Sequence, residues 1–319
     1  MLPLISAHPA IELAYSPIVT VGGFAVRVDT IVLAFVILAS LVVAARIARR
    51  TPVDPSRSAD EPGPDPEEPN HLRADDLLYV AVAALPGAVV VGRLGYALLY
   101  LDYYQANPGA LLDPAQGGLT LSLAVVGGFL TASVVAGLLG APAGRWMHAA
   151  VLPLLLALAG GKVAMALGGS GQGAPWDGAW ATAYLGPGPW RSLAPEIPSH
   201  PAQLYEALAT VGVLAIMATL LALGAFARRT GTAFLVGIAL WAVARAGVAS
   251  TWKDPLVLGP LRMEQVVCLG IAIGALVLLA VESARRRWGG GAGSGGSAGA
   301  RPSPEGEPAW PDPSSRPRI

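Results

Sequence analysis

GTAFLVGIALWAVARAGVAS, residues 231–250, holds one charged side chain, Arg245, in a run that is otherwise apolar or small. A bilayer core about 30 Å thick is crossed by about 20 such residues in a helix. No water reaches that depth to satisfy backbone N–H and C=O groups, so the run is predicted to be helical. Six further blocks of this kind accompany it, at about 29–48, 76–101, 119–140, 148–167, 203–226 and 263–282. A barrel-strand reading needs alternating segments of about 10 residues, whereas these runs are longer and continuously apolar. The fold class is therefore read as all-α: a polytopic integral membrane protein whose seven transmembrane helices occupy residues 1–288.

Composition points the same way. Of 319 residues 13% are charged and 54% hydrophobic, and mean hydropathy is +0.55. Soluble domains carry about 25% charged residues. This balance excludes chain-long disorder and a basic nucleic-acid binder, and argues against an ordinary soluble enzyme. The first block is read as a retained helix and not a removable signal peptide: it is long, and Arg46, Arg49 and Arg50 follow it directly. The lone Cys268 excludes an intramolecular disulfide. His8, His71, His148 and His200 form no close pair, so neither a metal cluster nor a cofactor is expected.

If the seven helices alternate, 11 basic residues fall on one side: Arg46, Arg49, Arg50, Arg57, Arg73, Arg145, Arg228, Arg229, Arg285, Arg286 and Arg287. The other side holds 4: Arg27, Arg191, Lys253 and Arg262. The positive-inside rule then places the N-terminus outside and the C-terminus in the cytoplasm. Residues 51–74 become a cytoplasmic loop, its Pro-rich acidic part being 51–72, and residues 289–319 a disordered Gly/Ser/Pro-rich cytoplasmic tail. The longest outside segment is 168–202. Its Trp176, Trp180, Tyr184 and Trp190 suit the headgroup level. A compact surface loop is the plainer alternative, although loops of this length are uncommon unless functional.

Three basic residues remain at membrane depth: Arg93, Lys162 and Arg245. A charge at the bilayer centre costs about 2.5–3.5 kcal/mol on insertion scales, so such residues are functional candidates. The acids counted at comparable depth are Glu206 and Asp102. That leaves a positive surplus, which an anionic phospholipid headgroup would balance. Alternatively Arg93 or Arg245 pairs with Glu206 to lock helices, or snorkels to an interface. Nothing resembles the paired broken helices of a transporter built from inverted repeats.

The sequence His200-Pro201-Ala202-Gln203-Leu204-Tyr205-Glu206 stands where the outside segment enters the fifth helix. Glu206 is favourable near a helix N-terminus. His200 titrates near neutrality and is a candidate base; the plainer alternative is a hydrogen-bonded cap.

HPAQLYEA (200–207) resembles the HP-[ST]-QLYE motif of the prolipoprotein diacylglyceryl transferase family, and GRLGYALLY (92–100) is similar to that family's GR-x-GY-x-x-x-Y segment. APWDGAW (174–180) resembles the family's Pro-Trp segment, and WKDP (252–255) falls where the family carries an arginine-containing stretch. The likeness spans about residues 75–285, and seven helices with this orientation is also the family topology. It implies an enzyme that moves a diacylglyceryl group from phosphatidylglycerol to the lipobox cysteine thiol of a prolipoprotein signal peptide. It further implies His200, Arg245 and Glu206 as catalytic residues, with Arg93, Lys162, Tyr96, Gln203, Tyr205 and Gly173 binding substrate. Several family positions differ. Val126 stands where the family has a third-helix His. Lys162 replaces an Arg, and Met165 and Ser170 replace Asn and Glu. Ala249 or Ser250 occupies the place of a Glu one turn beyond Arg245. The site is thus expected to be partly depleted, and a catalytically impaired paralogue that binds lipid or lipoprotein is the alternative function.

Overall fold

The computed structural model describes residues 10–54, 56–57, 60, 70–113, 115–140, 142–185 and 197–291. Trp190, Arg191 and most of the tail at 289–319 lie outside these residues, as does much of the 51–74 loop. Met1–Leu278 forms one compact unit and Leu279 onward a second. Before the first helix come the short strands β1 (Ile11–Leu13), β2 (Ile18–Val21) and β3 (Phe24–Arg27). Then follow α1 (Val28–Ala48), α2 (Ala74–Leu99), the short α3 (Leu101–Ala106), a 3₁₀ turn at Pro108–Leu111, α4 (Leu121–Leu138) and α5 (Ala143–Leu167). The chain continues through β4 (Thr182–Tyr184), α6 (Ala202–Ala222), α7 (Thr232–Ala249), β5 (Leu256–Leu258), β6 (Leu261–Arg262) and α8 (Met263–Gly291).

Among the described residues, seven helices are long and apolar enough to cross a membrane: α1, α2, α4, α5, α6, α7 and α8. They correspond one to one with the seven apolar blocks. The largest shift at a helix start is at α5, which begins at Ala143 instead of about 148, and the largest at a helix end is at α8, which runs to Gly291 instead of about 282. Arg145, read from the sequence as a turn residue, lies buried in the first turn of α5 and donates to Arg228 O at 2.8 Å. Of α7's apolar window 56% is buried, against 39% or less for the other six. α7 is therefore the central helix. Its Phe234, Ile238, Trp241, Ala242 and Ala246 pack with Val151 and Leu155 of α5, Val213 and Met217 of α6, and Cys268 and Ala272 of α8. Outward-facing Phe35, Val90, Leu130, Leu208 and Ile273 stay exposed, as side chains solvated by lipid would.

α2 and α4 meet backbone to backbone. A Cβ on Gly87 would fall 2.2 Å from Gly127 O, and one on Gly127 would fall 2.1 Å from Gly87 O. Small residues at a helix contact permit this approach, which supplies the dispersion contacts that drive association in lipid. Thr120 continues the seam, giving both its N–H and its hydroxyl to Gly92 O at 3.0 Å.

Departures from a purely helical fold gather at one end of the bundle. β2 and β3 form a hairpin through Gly22 and Gly23, both at positive φ, a turn that glycine accommodates without steric cost. β1 pairs in parallel with β4, Ile11 opposite Thr182, and β5 pairs with β6. Tyr184 donates to Tyr15 O at 2.6 Å and Tyr15 to Ala166 O at 2.5 Å, tying the 168–202 segment to the chain before α1. At the opposite end the 51–74 loop is pinned at its base. Asn70 Oδ1 accepts from Asp54 N at 2.8 Å, and Leu72 N donates to Thr51 O at 3.1 Å.

Candidate active site

The loop-rich end contains a line of four charged side chains from four helices. Lys162 comes from the last turns of α5, Glu206 from the first turns of α6, Arg245 from the last turn of α7 and Glu264 from the start of α8. All four are buried. Lys162 Nζ lies 3.0 Å from Glu206 Oε2, and Arg245 Nη1 bonds Glu206 Oε1. Arg245 Nε reaches Glu264 Oε2 at 3.4 Å and Ser122 Oγ at 3.0 Å. Ser122, at the N-terminus of α4, in turn donates to Glu264 and stands 3.1 Å from Cys268 Sγ. The ammonium of Lys162 also sits 4.4 Å from the centroid of the Trp252 ring, a cation–π contact of the desolvated kind.

Signs alternate along this line, so Lys162 and Arg245 are matched by Glu206 and Glu264, and of the positive surplus expected from the sequence only Arg93 is left among the described residues. Asp102, counted as a partner acid, is exposed on α3. Glu264 was missed because an acid in a helix's first turn is routine. Nearby Asp254, between α7 and α8, has its carboxyl held above the usual carboxylate range, first by burial and then by Glu264.

A second group surrounds Arg93. Its guanidinium gives Nε to Leu111 O at 3.0 Å and Nη1 to Gly118 O at 3.3 Å. Its Nη2 meets the carbonyls of Ala110, Asp113 and Gln116 at 2.6, 2.8 and 2.5 Å. Tyr104 lies 5.5 Å beneath the cation and donates its hydroxyl to Gln116 O at 3.1 Å. Tyr96 packs its ring against Gly117 and Gly118 and lies 4.7 Å from Tyr100. Arg93 and Tyr96 thus meet each other and the 110–118 segment; among the described residues no ion pair or hydrogen bond joins them to the four-charge line.

The third group is the strap leading into α6. His200 stacks on Trp176 at 4.4 Å and meets Tyr205 edge-on at 6.1 Å. Tyr205 accepts from Trp180 Nε1 at 2.6 Å. Burial pushes the His200 imidazole below its ordinary value of 6.5, and its Nδ1 is buried without a hydrogen-bond partner. Gly173 N donates to His200 O at 2.7 Å and Ala174 N to Thr251 O at 2.8 Å. A Cβ on Gly173 would lie 2.1 Å from Thr251 O. The strap is therefore laced to the end of α7, one residue from the Trp252 that carries Lys162. Gln203 is buried with its Oε1 unpaired, as are Gln172 Oε1 and Trp252 Nε1. Unpaired buried polar atoms are uncommon, and four of them sit in and beside this strap. Val126 is half-buried on α4.

A family model described as prolipoprotein diacylglyceryl transferase matches residues 17–281, a stretch that holds all three groups. The chain belongs to that family. The phosphatidylglycerol–prolipoprotein diacylglyceryl transferase of Nostoc sp. is 27% identical over 265 residues, 81% of this chain and 86% of its own. The enzyme of the same name from Acaryochloris marina is 30% identical over 210 residues, 65% and 76% of the two chains. That of Clostridioides difficile is 26% identical over 206 residues, 65% and 78%. Membership places the chain among bacterial multi-pass membrane transferases, and the seven apolar helices agree with it.

Proposed function

We propose that this chain transfers a diacylglyceryl group from phosphatidylglycerol to the lipobox cysteine thiol of a prolipoprotein. The loop-rich end faces outward and the C-terminus the cytoplasm, in keeping with the 11 to 4 distribution of basic residues. The observation that carries the reading is the pairing of Lys162 and Arg245 on one buried carboxylate, Glu206, inside the stretch that matches the family.

In the reaction the thiol sulfur forms a C–S bond to the glycerol carbon that bears the phosphate. The C–O bond breaks, its electron pair stays on the phosphate oxygen, and glycerol phosphate leaves. Lys162 and Arg245 stabilise the charge that gathers on that phosphate. Glu206 holds both cations in place before the lipid arrives and gives way to the phosphate when it binds. His200, kept neutral by burial, takes the thiol proton. Gln203 offers its unpaired oxygen to a headgroup hydroxyl, while Tyr205 and Gly173 shape the strap beside it. Arg93 and Tyr96 serve the lipid indirectly, by fixing the 110–118 segment as a wall. No cofactor enters these steps.

The test is expression in cells depleted of their own transferase, with a labelled glycerolipid and a lipobox peptide. Label transferred to the peptide and restored lipoprotein maturation are expected; growth failure with no label transfer refutes the reading. A second reading, a lipid- or lipoprotein-binding paralogue without turnover, is favoured by Val126 and by the internal neutralisation of the charged line. Phosphatidylglycerol binding without transfer would support it.

A further inference from the structure

We propose that Glu264 is a positioning residue for diacylglyceryl transfer, supplying from α8 the second carboxylate that aims Arg245. The inference rests on the transferase reading above. Arg245 has two faces to satisfy in a buried place. Its Nη1 is taken by Glu206 from α6. Its Nε turns the other way, to Glu264 at 3.4 Å and to Ser122 at 3.0 Å, and Ser122 itself donates to Glu264. The guanidinium is gripped from two sides by three different helices, which fixes its plane as well as its position. A single carboxylate would leave the plane free to swing about the Nη1 contact. A guanidinium is a rigid fork, so its orientation decides whether it meets a phosphate with two donors or one.

The helix that carries Arg245 has no acid to do this. One turn further on, the i+4 position that shares its face is Ala249, buried at 1% exposure. The four-charge line therefore closes only because α8 begins with Glu264 beside α7's end. The same carboxylate makes Lys162, Glu206, Arg245 and Glu264 neutral as a set. Without it the line would hold a net positive charge away from water, an arrangement that desolvation strongly disfavours. The hydroxyl of Ser122 has one proton, and it goes to Glu264; its remaining lone pairs accept from Arg245. Ser122 thus relays the grip without competing for it.

The experiment compares rates per folded protein in detergent or proteoliposomes, with phosphatidylglycerol and a lipobox peptide. Glu264→Gln keeps shape and removes charge; kcat/KM is expected to fall about 100-fold, the cost of a small misplacement of a reacting-site group, with the loss mainly in kcat because the effect is on the transition-state charge. Glu264→Gln combined with Ala249→Glu returns a carboxylate to Arg245's face from its own helix, and should recover about tenfold of that loss if the two positions couple. Ala272→Val disturbs the packing of the same face of α8, two turns further on and without charge, and should leave the rate unchanged. An active wild type with Glu264→Gln equally active overturns the inference and leaves the transferase reading standing. So does a fall in Glu264→Gln that Ala272→Val matches and Ala249→Glu does not relieve, since that is a packing defect. A wild type that transfers nothing refutes the transferase reading and the role of Glu264 with it. If Glu264→Gln does not fold, the same comparison is made with Glu264→Asp: reduced kcat with Arg245 still paired supports the proposal, and an unchanged kcat overturns it.

Discussion

Glu206 Oε2 lies 3.0 Å from Lys162 Nζ, with both side chains buried, while the other oxygen of the same carboxylate bonds Arg245. One acid on α6 thus ties α5 to α7 near the loop-rich end. Removing it leaves two cations without their shared partner. Loss of one member of a buried pair costs about 3–5 kcal/mol, because the remaining charge stays desolvated.

Glu206→Gln is therefore expected to lower thermal stability in detergent by that order and to abolish transfer. Adding Lys162→Met should return part of the stability without returning activity, since one of the stranded charges is gone. Thermal unfolding of the single and double variants checks this. Equal stability of the two would contradict it.

Arg93→Lys replaces a planar fork with a point charge. Five carbonyls between Ala110 and Gly118 now converge on the guanidinium, and an ammonium has three donors at a different reach. A hydrogen bond to a charged group contributes about 1.5–3 kcal/mol, so a loss of about 2 kcal/mol in the protection of residues 108–118 is expected. Amide exchange of that segment measures it, and α7 near Arg245 should be little changed.

Gly173→Ala drives a methyl to within 2.1 Å of Thr251 O and to about the contact limit with Ala202 and His200. The strap must lift from the end of α7. Overpacking of this kind costs about 1–3 kcal/mol. The expected outcome is a lower melting temperature and a weaker transfer rate, since His200 moves with the strap.

His200 has a pH consequence with a definite sign. Its imidazole is held below the ordinary 6.5 by burial, so the unfolded chain binds more protons than the folded one as pH falls through that region. Stability from this residue is complete above the ordinary value and is lost as pH drops toward the lowered folded value. If His200 is the base, transfer falls over the same acidic range. His200→Gln should lessen the loss of stability that sets in just below 6.5, leaving the loss due to paired carboxylates such as Asp29 at lower pH, and should remove most of the rate; an unchanged melting profile just below 6.5 in the variant would contradict the assignment.

The seven spans were legible because membrane depth imposes a compositional rule. Backbone groups in lipid must pair within a helix, and about 20 apolar residues are needed to cross. One block boundary shifted where a polar side chain is buried inside a helix: Arg145, read as a turn residue, belongs to α5. The strands were not legible. β1 and β4 are three residues each and come together across about 170 positions, and three residues show no alternation that composition can separate from a loop.

In the candidate site, the residue types were readable and their partners were not. Arg93, Lys162 and Arg245 stood out because a charge in an apolar block is costly. The sequence treated them alike. Tertiary structure assigns Arg93 to a set of backbone carbonyls and gives Lys162 and Arg245 to Glu206.

By itself, then, the sequence determined the number of helices, their order and the handful of charges among them, since each follows from the transfer cost of local composition. Which charge meets which was decided only in three dimensions. Glu264 lies 19 positions from Arg245 and Ser122 lies 123 away. They meet because α4, α7 and α8 converge at one end of the bundle, and helix packing sets that convergence through contacts distant in sequence. Counting along the chain overstated the excess of positive charge: folding brings Glu264 from α8 to Arg245 and leaves Arg93 to backbone carbonyls.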